Sequence, residues 1–349
     1  MGSDSQVTVR MDPAGATFVV PAGETVLTAA ERQGVVLDYG CRHGNCSSCK
    51  YFLLDGDCDH TGASPYSLSE AEREDGWALM CVARPLTDLV IRDDHPPDLR
   101  ALPPLTPREQ QATVLGVGAL ADNLWHLELG VEEPFEFYAG QFMEIGVPGQ
   151  EGAWRAYSIS SAPSAGRQLE FVLKHIPGGA FSGQLTTMEV GDSLRTRGPF
   201  GDGYLRSGTD PVLLVGVGSG IGPLLSIVRH AIETRDRRAF TFIYGTKTMD
   251  GLRALQTLTQ ASEALDLTLV PCVAEPAFGS GWAGSTGSVT TVVQRLVDDA
   301  SGLDAYLCGH PDMCDAVERL LEAKGIRPRR VFLDRFFSTS AQEPSALVT

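Results

Sequence analysis

Four cysteines near the start of the chain place the strongest constraint on what this sequence can fold into. Cys41, Cys46 and Cys49 lie together in the segment CRHGNCSSC, and Cys81 follows in the segment LMCVARP. The chain has 349 residues, which is long enough to bury hydrophobic cores without disulfide bonds. Clustered cysteines in such a chain therefore indicate a metal site rather than a disulfide framework.

The spacing of these cysteines is C-x4-C-x2-C with one distant fourth thiol, which is the ligand pattern of plant-type 2Fe-2S clusters. Gly44 permits unusual backbone angles in the loop, and the two serines before Cys49 are small enough to let amide hydrogens approach the cluster sulfides. Structural zinc is the alternative, but zinc sites usually pair two closely spaced ligand couples. The sequence thus predicts a 2Fe-2S cluster on these four cysteines.

The elements around the cysteines predict one small mixed domain. The segments QVTVRM and ATFVVP read as a hairpin, residues 24–33 as a helix, and YFLLDG as a further strand. Ser67 and Ser69, with Glu70 and Glu72, can open a second short helix, and WALMCVARP and DLVIRDD read as the last strands. The domain is predicted to span residues 1–98.

The sequence pattern of the rest of the chain changes at two places after the linker region begins. A proline-rich linker is predicted at 99–107, because three prolines within five residues favour an extended spacer. Short apolar runs broken by glycine and proline then predict an antiparallel β-barrel at 108–208. Buried-strand runs that alternate with helical stretches predict an α/β domain with a mostly parallel sheet at 209–338, followed by a tail at 339–349.

The charge balance argues against several classes of partner. The chain has 44 acidic and 28 basic residues, a net charge of -16, which gives nucleic-acid or anionic-membrane binding little support. Residues 1–98 hold 16 acidic and 7 basic residues, so this part suits a positively charged protein partner, although the charge could serve solubility alone. No apolar run spans a membrane and no signal peptide is evident, so we expect a cytoplasmic protein.

A glycine-rich turn follows the strand VLLV in the α/β domain. It reads Gly-Val-Gly-Ser-Gly-Ile-Gly-Pro from Gly216 to Pro223 and precedes a helical stretch. Glycines between a strand and a helix, with a proline suited to the first helical turn, predict a helix start that faces phosphate groups. We therefore expect a nucleotide at this turn.

Taken together, these motifs resemble a known family. Residues 1–98 resemble a plant-type ferredoxin, and the remainder resembles the ferredoxin-NADP reductase superfamily. In this order, and over essentially the whole chain, they resemble reductase components of bacterial multicomponent oxygenases. The resemblance implies a multidomain fold: an α+β β-grasp domain, an antiparallel β-barrel that binds FAD, and a Rossmann-like α/β domain that binds NAD.

The resemblance also implies the flavin site. The segment from Arg155 to Ser158 is similar to the family's R-x-Y-S/T element, in which the arginine pairs with the flavin pyrophosphate, the tyrosine (Tyr157) stacks on the ring, and the serine bonds near N5. The segment KHIPGGAFS, which begins at Lys174, resembles the family's Gly-Gly-x-x-Ser turn, which opens a helix onto the pyrophosphate. Its expected amide donors are Gly179 and Ser182. An N-terminal ferredoxin domain implies FAD rather than FMN.

The nicotinamide site is implied in the same way. The glycine turn is similar to the family's G-x-G-x-G-x-x-P motif, whose matching residues are Gly216, Gly218, Gly220 and Pro223. Cys308 and Gly309 resemble the start of the family's C-G-P-P segment, in which the cysteine lies near the nicotinamide, although His310 stands where that pattern commonly has proline.

Three further positions complete the expected site. Tyr244 and Lys247 follow the second strand of the α/β domain, where family members that bind NADPH carry basic groups. Because a further basic residue is missing there, NADH is favoured, with NADPH possible. Phe337, near the C-terminus, falls where the family places an aromatic residue near the flavin.

The resemblance implies an electron-transfer reductase. NADH would pass a hydride to FAD, and the cluster would deliver electrons singly to an oxygenase, with Ser158 and Cys308 nearest the reacting atoms. The cluster segment most resembles reductases of diiron monooxygenases acting on phenols, alkenes, propane or cyclic ethers. A reductase of a Rieske ring-hydroxylating dioxygenase is the alternative, and a non-catalytic redox sensor is a rival of another class.

A Cys46→Ser substitution tests this route. Reduction of the flavin by NADH is expected to survive, because it needs only the two C-terminal domains, while electron delivery to the oxygenase disappears. Stopped-flow absorbance of the flavin and an oxygenase turnover assay measure the two steps. Loss of flavin reduction in this variant would mean that the domains do not function separately.

Overall fold

The structure is a computed structural model that divides the chain into two compact units, Met1–Leu99 and Arg100–Thr349. It describes residues 6–40, 42, 44, 48–65, 67–93, 100–258, 264–277, 279–327 and 329–336. Within these ranges no helix is long and apolar enough to cross a lipid bilayer.

The first unit is a five-stranded mixed sheet with two short helices. Its elements are β1 (Val7–Asp12), β2 (Thr17–Val20), α1 (Val26–Arg32), β3 (Lys50–Asp55), β4 (Cys58–Asp59), α2 (Glu70–Glu74), β5 (Trp77–Leu79), β6 (Arg84–Pro85) and β7 (Leu89–Arg92). The sheet order is β2-β1-β7-β3-β5, in which β1 and β7 are parallel and the other pairs antiparallel. The apolar face of α1 joins the core of this sheet. This is the β-grasp arrangement that the resemblance to a plant-type ferredoxin implied.

Local signals explain where the helices of this unit begin. The Thr25 side chain caps α1, and Ser69 and Glu72 form a reciprocal capping box at α2. The prediction of one strand over WALMCVARP is wrong in one respect, because the chain turns after Leu79 instead of continuing. The amide of Ala83 donates to the Leu79 carbonyl at 2.8 Å, which closes that turn around Cys81.

The second unit begins with a six-stranded antiparallel sheet. Its strands are β8 (Arg108–Ala121), β9 (Leu124–Val131), β10 (Phe142–Gly146), β11 (Trp154–Ser158), β12 (Gln168–Lys174) and β13 (Ser193–Phe200), with 3-10 helices at Pro163–Ala165 and Ser182–Thr186. The order is β11-β10-β13-β8-β9-β12. A single antiparallel bridge between Ile159 and Phe171 joins the two edge strands and closes the sheet into the predicted barrel.

The remainder of the second unit is a parallel sheet with helices on both faces. Its elements are β14 (Val212–Val217), a 3-10 turn (Gly218–Gly220), α3 (Ile221–Glu233), β15 (Phe240–Thr246), a 3-10 helix (Asp250–Leu258), β16 (Leu267–Val273), β17 (Ser285–Thr286), α4 (Val289–Leu296), β18 (Asp304–Gly309), α5 (Pro311–Ala323) and β19 (Val331–Arg335). The order is β17-β16-β15-β14-β18-β19, and every pair is parallel. The predicted α/β fold is therefore confirmed.

Helix α3 packs between the barrel and the parallel sheet. Its buried side chains share one hydrophobic core with the barrel residues Leu124 and Val172. The Ser226 hydroxyl donates to the Ser161 carbonyl at 2.7 Å, and Arg229 donates to the Glu170 carboxylate of β12 at 2.8 Å. The barrel and the sheet form one compact unit because they share this helix.

A Glu170→Gln substitution tests the polar part of that contact. The His126 imidazole, 3.7 Å away, and the Arg229 guanidinium hold the pKa of Glu170 at about 2, against an ordinary value of 4.5. We expect the variant to lose about 1 kcal/mol of stability at neutral pH, since the pair is half-exposed. Urea unfolding followed by flavin release measures this loss.

The direction of the pKa shift decides how the stability difference between wild type and Glu170→Gln depends on pH. Because the pKa of Glu170 is lower in the folded protein, its contribution is full above pH 4.5 and is lost as the pH falls towards 2. The stability difference between wild type and variant should shrink across that window. Glu109→Gln, at the exposed pair with Arg195, is the control and should change stability by no more than about 0.5 kcal/mol. A difference that does not change with pH would contradict the assignment.

Candidate functional site

The order of the parallel sheet creates a crevice at one edge. From β14 the chain builds outwards through β15, β16 and β17, and then returns to place β18 on the other side of β14. Open parallel sheets bind ligands at such a reversal point, beyond the carboxyl ends of the strands. The glycine turn after β14 and the segment after β18 lie on the two sides of this point.

Glycines let the backbone of these two segments approach closely. A Cβ atom on Gly220 would lie 2.1 Å from the Cys308 carbonyl oxygen, and one on Gly216 would lie 2.8 Å from the Leu224 side chain. Gly218 has a φ of +54°, in the left-handed region. Backbone crowding therefore requires glycine at Gly220, and the left-handed backbone favours it at Gly218, whereas at Gly216 the nearest atom is the end of a flexible side chain.

The start of α3 lies against the barrel strand that carries the expected flavin residues. The nearest atom to a Cβ built on Gly222 is the Ser158 carbonyl oxygen, at 3.7 Å. Pro223 is in the first turn of α3, where a missing N–H costs nothing. The start of this helix and the end of β11 thus meet in one place, and a helix start is a place where phosphate groups bind.

Strand β11 presents Arg155 and Tyr157 on one of its faces. The Tyr157 ring packs against Phe181 at 5.1 Å between centroids, and burial raises the pKa of its hydroxyl, so the tyrosine stays neutral. The Arg155 guanidinium donates to the Trp154 carbonyl at 2.8 Å. A neutral aromatic ring and a fixed cation on one strand suit a ring system that carries phosphates.

The segment after β12 differs from the expected helix. Ser182 begins a five-residue 3-10 helix, not an α-helix, and Lys174 is exposed at the end of β12. A Cβ on Gly179 would lie 2.6 Å from the Ser182 hydroxyl, so glycine is required for this serine to fold back over the turn. The predicted Gly-Gly-x-x-Ser turn is present as a compact loop, while the helix it was expected to open is only a short one.

A carboxylate that the sequence did not point to lies beside the expected reacting residues. The Ser158 hydroxyl donates to Asp334 Oδ2 at 2.6 Å, and Asp334 pairs with Cys308 across β18 and β19. Cys308 is 3% exposed, and burial together with the Asp334 charge raises the pKa of its thiol. Cys308 is thus a neutral thiol, and Asp334 joins the end of β11 to β18.

The segment after β18 has a structural role for its histidine. His310 caps α5, because its Nδ1 accepts the Asp312 amide at 3.3 Å, and Pro311 is the first residue of that helix. The Phe336 amide donates to the Gly309 carbonyl at 2.8 Å, which ties the C-terminal segment to the crevice. Phe337 lies outside the described residues.

The residues after β15 divide into a buried and an exposed group. Tyr244 is fully buried, and its hydroxyl donates to the Gly218 carbonyl at 2.9 Å, so it supports the glycine turn from below. The Lys247 side chain is 74% exposed and lies 3.9 Å from the Glu275 carboxylate. The charged group beside Lys247 is therefore acidic.

Two of the four expected cluster ligands can be placed in the first unit. Cys49 and Cys81 are both buried, and the Met80 amide donates to the Cys49 carbonyl at 2.9 Å, so the two segments are directly joined. The other two, Cys41 and Cys46, lie outside the described residues. Among the residues that are described, no three His, Cys, Asp or Glu side chains form a metal-binding group.

Gly44, which lies between Cys41 and Cys46 in the sequence, packs closely against residues 62–64. Gly44 has a φ of +74°, and a Cβ there would lie 2.5 Å from the Gly62 carbonyl oxygen. The Ser64 amide donates to the Gly44 carbonyl at 3.0 Å. The burial of the described thiols, Cys49 and Cys81, fits the chemistry of an iron–sulfur cluster, whose thiolate ligands require protection from water.

Each part of this arrangement matches a known domain family. Residues 9–86 match the 2Fe-2S iron-sulfur cluster binding domain. Residues 117–204 match the oxidoreductase FAD-binding domain, and residues 214–319 match the oxidoreductase NAD-binding domain. The chain is thus an oxidoreductase with a 2Fe-2S cluster, FAD and a nicotinamide cofactor.

A Gly220→Ala substitution tests the close approach in the crevice. The added methyl group must displace the glycine turn from Cys308, so we expect the rate of flavin reduction by NADH to fall by about tenfold or more. Stopped-flow measurement of flavin absorbance gives this rate, and the flavin and cluster content should remain normal. Gly302→Ala, where a Cβ meets nothing within 4 Å, is the control. An unchanged rate in the first variant would contradict this location of the nicotinamide site.

Whole-chain relatives cover all three domains. The chain is 33% identical to the reductase component of propane 2-monooxygenase from Rhodococcus jostii (strain RHA1), over 95% of this chain and 91% of the relative. It is 30% identical to the reductase component of phenol 2-monooxygenase from Pseudomonas sp. (strain CF600), over 95% of each chain. The solved cytochrome P450 reductase GcoB of Amycolatopsis superposes with a TM-score of 0.78 at 31% identity, covering 95% of this chain and 98% of that one. The chain therefore belongs to the family of iron–sulfur flavoprotein reductases that includes the reductase components of propane and phenol monooxygenases.

Proposed function

We propose that this protein carries electrons from NADH, through FAD in the barrel domain and a 2Fe-2S cluster in the first domain, to the oxygenase component of a diiron monooxygenase. The observation that carries this proposal is the crevice between β14 and β18. There the end of the flavin strand, the glycine turn and Cys308 come together, with Asp334 linked to Ser158.

The residues of the crevice have separate tasks in hydride transfer. The amides at the start of α3 and the glycine turn would bind the NADH pyrophosphate, and Tyr244 holds that turn in place. Cys308 is small, buried and neutral, so it can pack against the nicotinamide without reacting. No proton donor is required, because a hydride leaves the nicotinamide with both of its electrons.

The flavin side contributes orientation and tuning. Arg155 would pair with the FAD pyrophosphate, Tyr157 would stack on its ring, and the loop of Gly179 and Ser182 would close over the phosphates. Asp334 accepts the Ser158 hydroxyl hydrogen, which fixes the direction in which that oxygen points. When bound, FAD supplies the conversion between paired and single electrons that neither NADH nor an iron–sulfur cluster can perform alone.

The four cysteines would hold the cluster through which electrons leave. Cys49 and Cys81 are buried together, and Cys41 and Cys46 complete the spacing of a 2Fe-2S site. The excess of acidic residues in 1–98 supports docking to a positively charged partner, with rates that fall as salt increases. We propose a cytoplasmic location, because NADH and reduced thiols occur together in that compartment.

NADH is the preferred donor in this proposal. Lys247 is the basic residue expected near the adenosine ribose, and Glu275 lies 3.9 Å from it. A 2'-phosphate at this place would meet the Glu275 carboxylate as well as the lysine, which offsets its attraction. The ribose hydroxyls of NADH meet no such repulsion.

The proposal is tested by finding which oxygenase component accepts electrons from this protein. The NADH-reduced protein is mixed with the oxygenase components of a diiron monooxygenase, a Rieske dioxygenase and a cytochrome P450, and NADH-dependent product is measured. We expect the diiron component to turn over at least about tenfold faster than the others. Faster turnover of the Rieske or P450 component would replace the proposed partner. A protein that holds a cluster but neither binds flavin nor oxidises NADH would instead be a redox sensor.

A further inference from the structure

A turn of the barrel is hydrogen-bonded to the segment that follows β15 in the parallel sheet. The turn joins β8 to β9, and its Asp122 carboxylate accepts the Thr248 hydroxyl hydrogen at 2.8 Å. The Asp122 amide donates to Asp250 Oδ2 at 2.7 Å, so the two segments are bonded in both directions. We call these two contacts the clasp. Neither of them involves α3.

The backbone on both sides of the clasp is adapted to the close contact. Asp122 has a φ of +44°, in the left-handed region that is unfavourable for residues other than glycine. A Cβ atom on Gly251 would lie 2.8 Å from the Thr246 side chain and 3.1 Å from Asp122 Oδ2. Glycine at this position therefore lets the 3-10 helix that begins at Asp250 come this close to the barrel turn.

The segment held by the clasp carries the residues expected at the ribose of NADH. Lys247 directly precedes Thr248, and its carbonyl accepts the Glu275 amide at 3.0 Å. The Thr246 hydroxyl donates to the Thr248 carbonyl at 2.7 Å. The backbone around Lys247 is thus fixed within the parallel sheet by these bonds, and the clasp joins it to the barrel.

Asp122 also lies close to the residue that supports the glycine turn. Burial, and after it the Asp122 charge, raises the pKa of the Tyr244 hydroxyl. That hydroxyl donates to the Gly218 carbonyl at 2.9 Å. Asp122 is therefore next to both parts of the chain that are expected to meet the nucleotide, the segment after β15 and the support of the glycine turn.

We propose that Asp122 is a positioning residue for the adenosine half of NADH, because its bond to Thr248 fixes the Lys247 segment before the cofactor binds. This inference rests on the proposed function. A binding segment that is already ordered loses less conformational entropy when the ligand arrives, so removal of the clasp weakens the affinity for NADH. The distance between nicotinamide and flavin in the bound state depends on other residues, so the limiting rate of hydride transfer does not change.

Stopped-flow reduction of the full-length holoprotein over a range of NADH concentrations separates affinity from rate. Thr248→Val keeps the shape of the side chain and the net charge but removes the hydroxyl donor. We expect the apparent Kd for NADH to rise about fivefold, as for the loss of one partly exposed hydrogen bond to a carboxylate. The limiting rate of flavin reduction should stay within about twofold of wild type, and Thr248→Ser, which keeps the hydroxyl, should bind NADH as wild type does.

Asp122→Gly tests the other side of the same bond. Glycine tolerates the left-handed backbone and keeps the amide that donates to Asp250, so this variant removes only the carboxylate. We expect a similar rise in Kd. Combining Asp122→Gly with Thr248→Val should weaken binding no further than either change alone, because both remove one contact.

Ser164→Ala is the matched control. The Ser164 hydroxyl donates to the Glu233 carboxylate at 2.7 Å, a contact of the same chemistry that joins the barrel to the end of α3 instead of the segment after β15. This variant should bind NADH with the wild-type Kd. Flavin content and thermal unfolding, measured for every variant, show that each is folded.

Several results would overturn the proposal: an unchanged Kd in Thr248→Val, tighter NADH binding in Asp122→Gly, additive losses in the double variant, or an equal loss in Ser164→Ala. A lower limiting rate with an unchanged Kd would also overturn it, and would mean that the clasp sets the geometry of hydride transfer. If the wild-type protein shows no flavin reduction by NADH, the proposed function itself fails.

Discussion

The packing of α3 between the barrel and the parallel sheet is the contact on which the rest of the reductase module depends. Its apolar side chains contribute about 2 kcal/mol each on burial, more than the hydrogen bonds from Ser226 and Arg229 contribute. The hydrophobic contact therefore supplies most of the stabilisation, and the polar contacts fix its register. Because the same helix begins beside Ser158, this packing also sets how close the flavin strand comes to the glycine turn.

The two edges of the parallel sheet have different tasks. At the carboxyl ends of the strands, the glycine turn and the backbone of Cys308 approach closely. At the opposite edge, charged groups are compensated by one another: Asp304 is paired with arginines, and the buried Arg206 stacks on Tyr204 and pairs with Asp202. Such pairs break even only when every member is satisfied.

Sequence patterns and the resemblance predicted the folds of the three domains, the glycine turn after β14 and the capping box at α2. They failed where a long-range contact overrides a local preference. The run WALMCVARP has strand composition, yet the chain turns around Cys81, where the Ala83 amide donates to the Leu79 carbonyl. Asp334 had no local signal, since an acidic residue in a C-terminal strand has many possible roles. His310 looked like a departure from the family pattern, and it is a helix cap.

The sequence by itself determined the chemistry that this protein can hold: cysteine spacing, the glycine turn and the R-x-Y-S element are local patterns, and each is read within a few residues. The residue-level roles of these positions stay predictions. Only the tertiary structure decided which of them meet. Ser158 and Asp334 are 176 residues apart in the chain, and Arg100 and Asp304 are 204 apart. Contacts at such separations depend on how whole elements pack, and no local preference of the backbone encodes that packing.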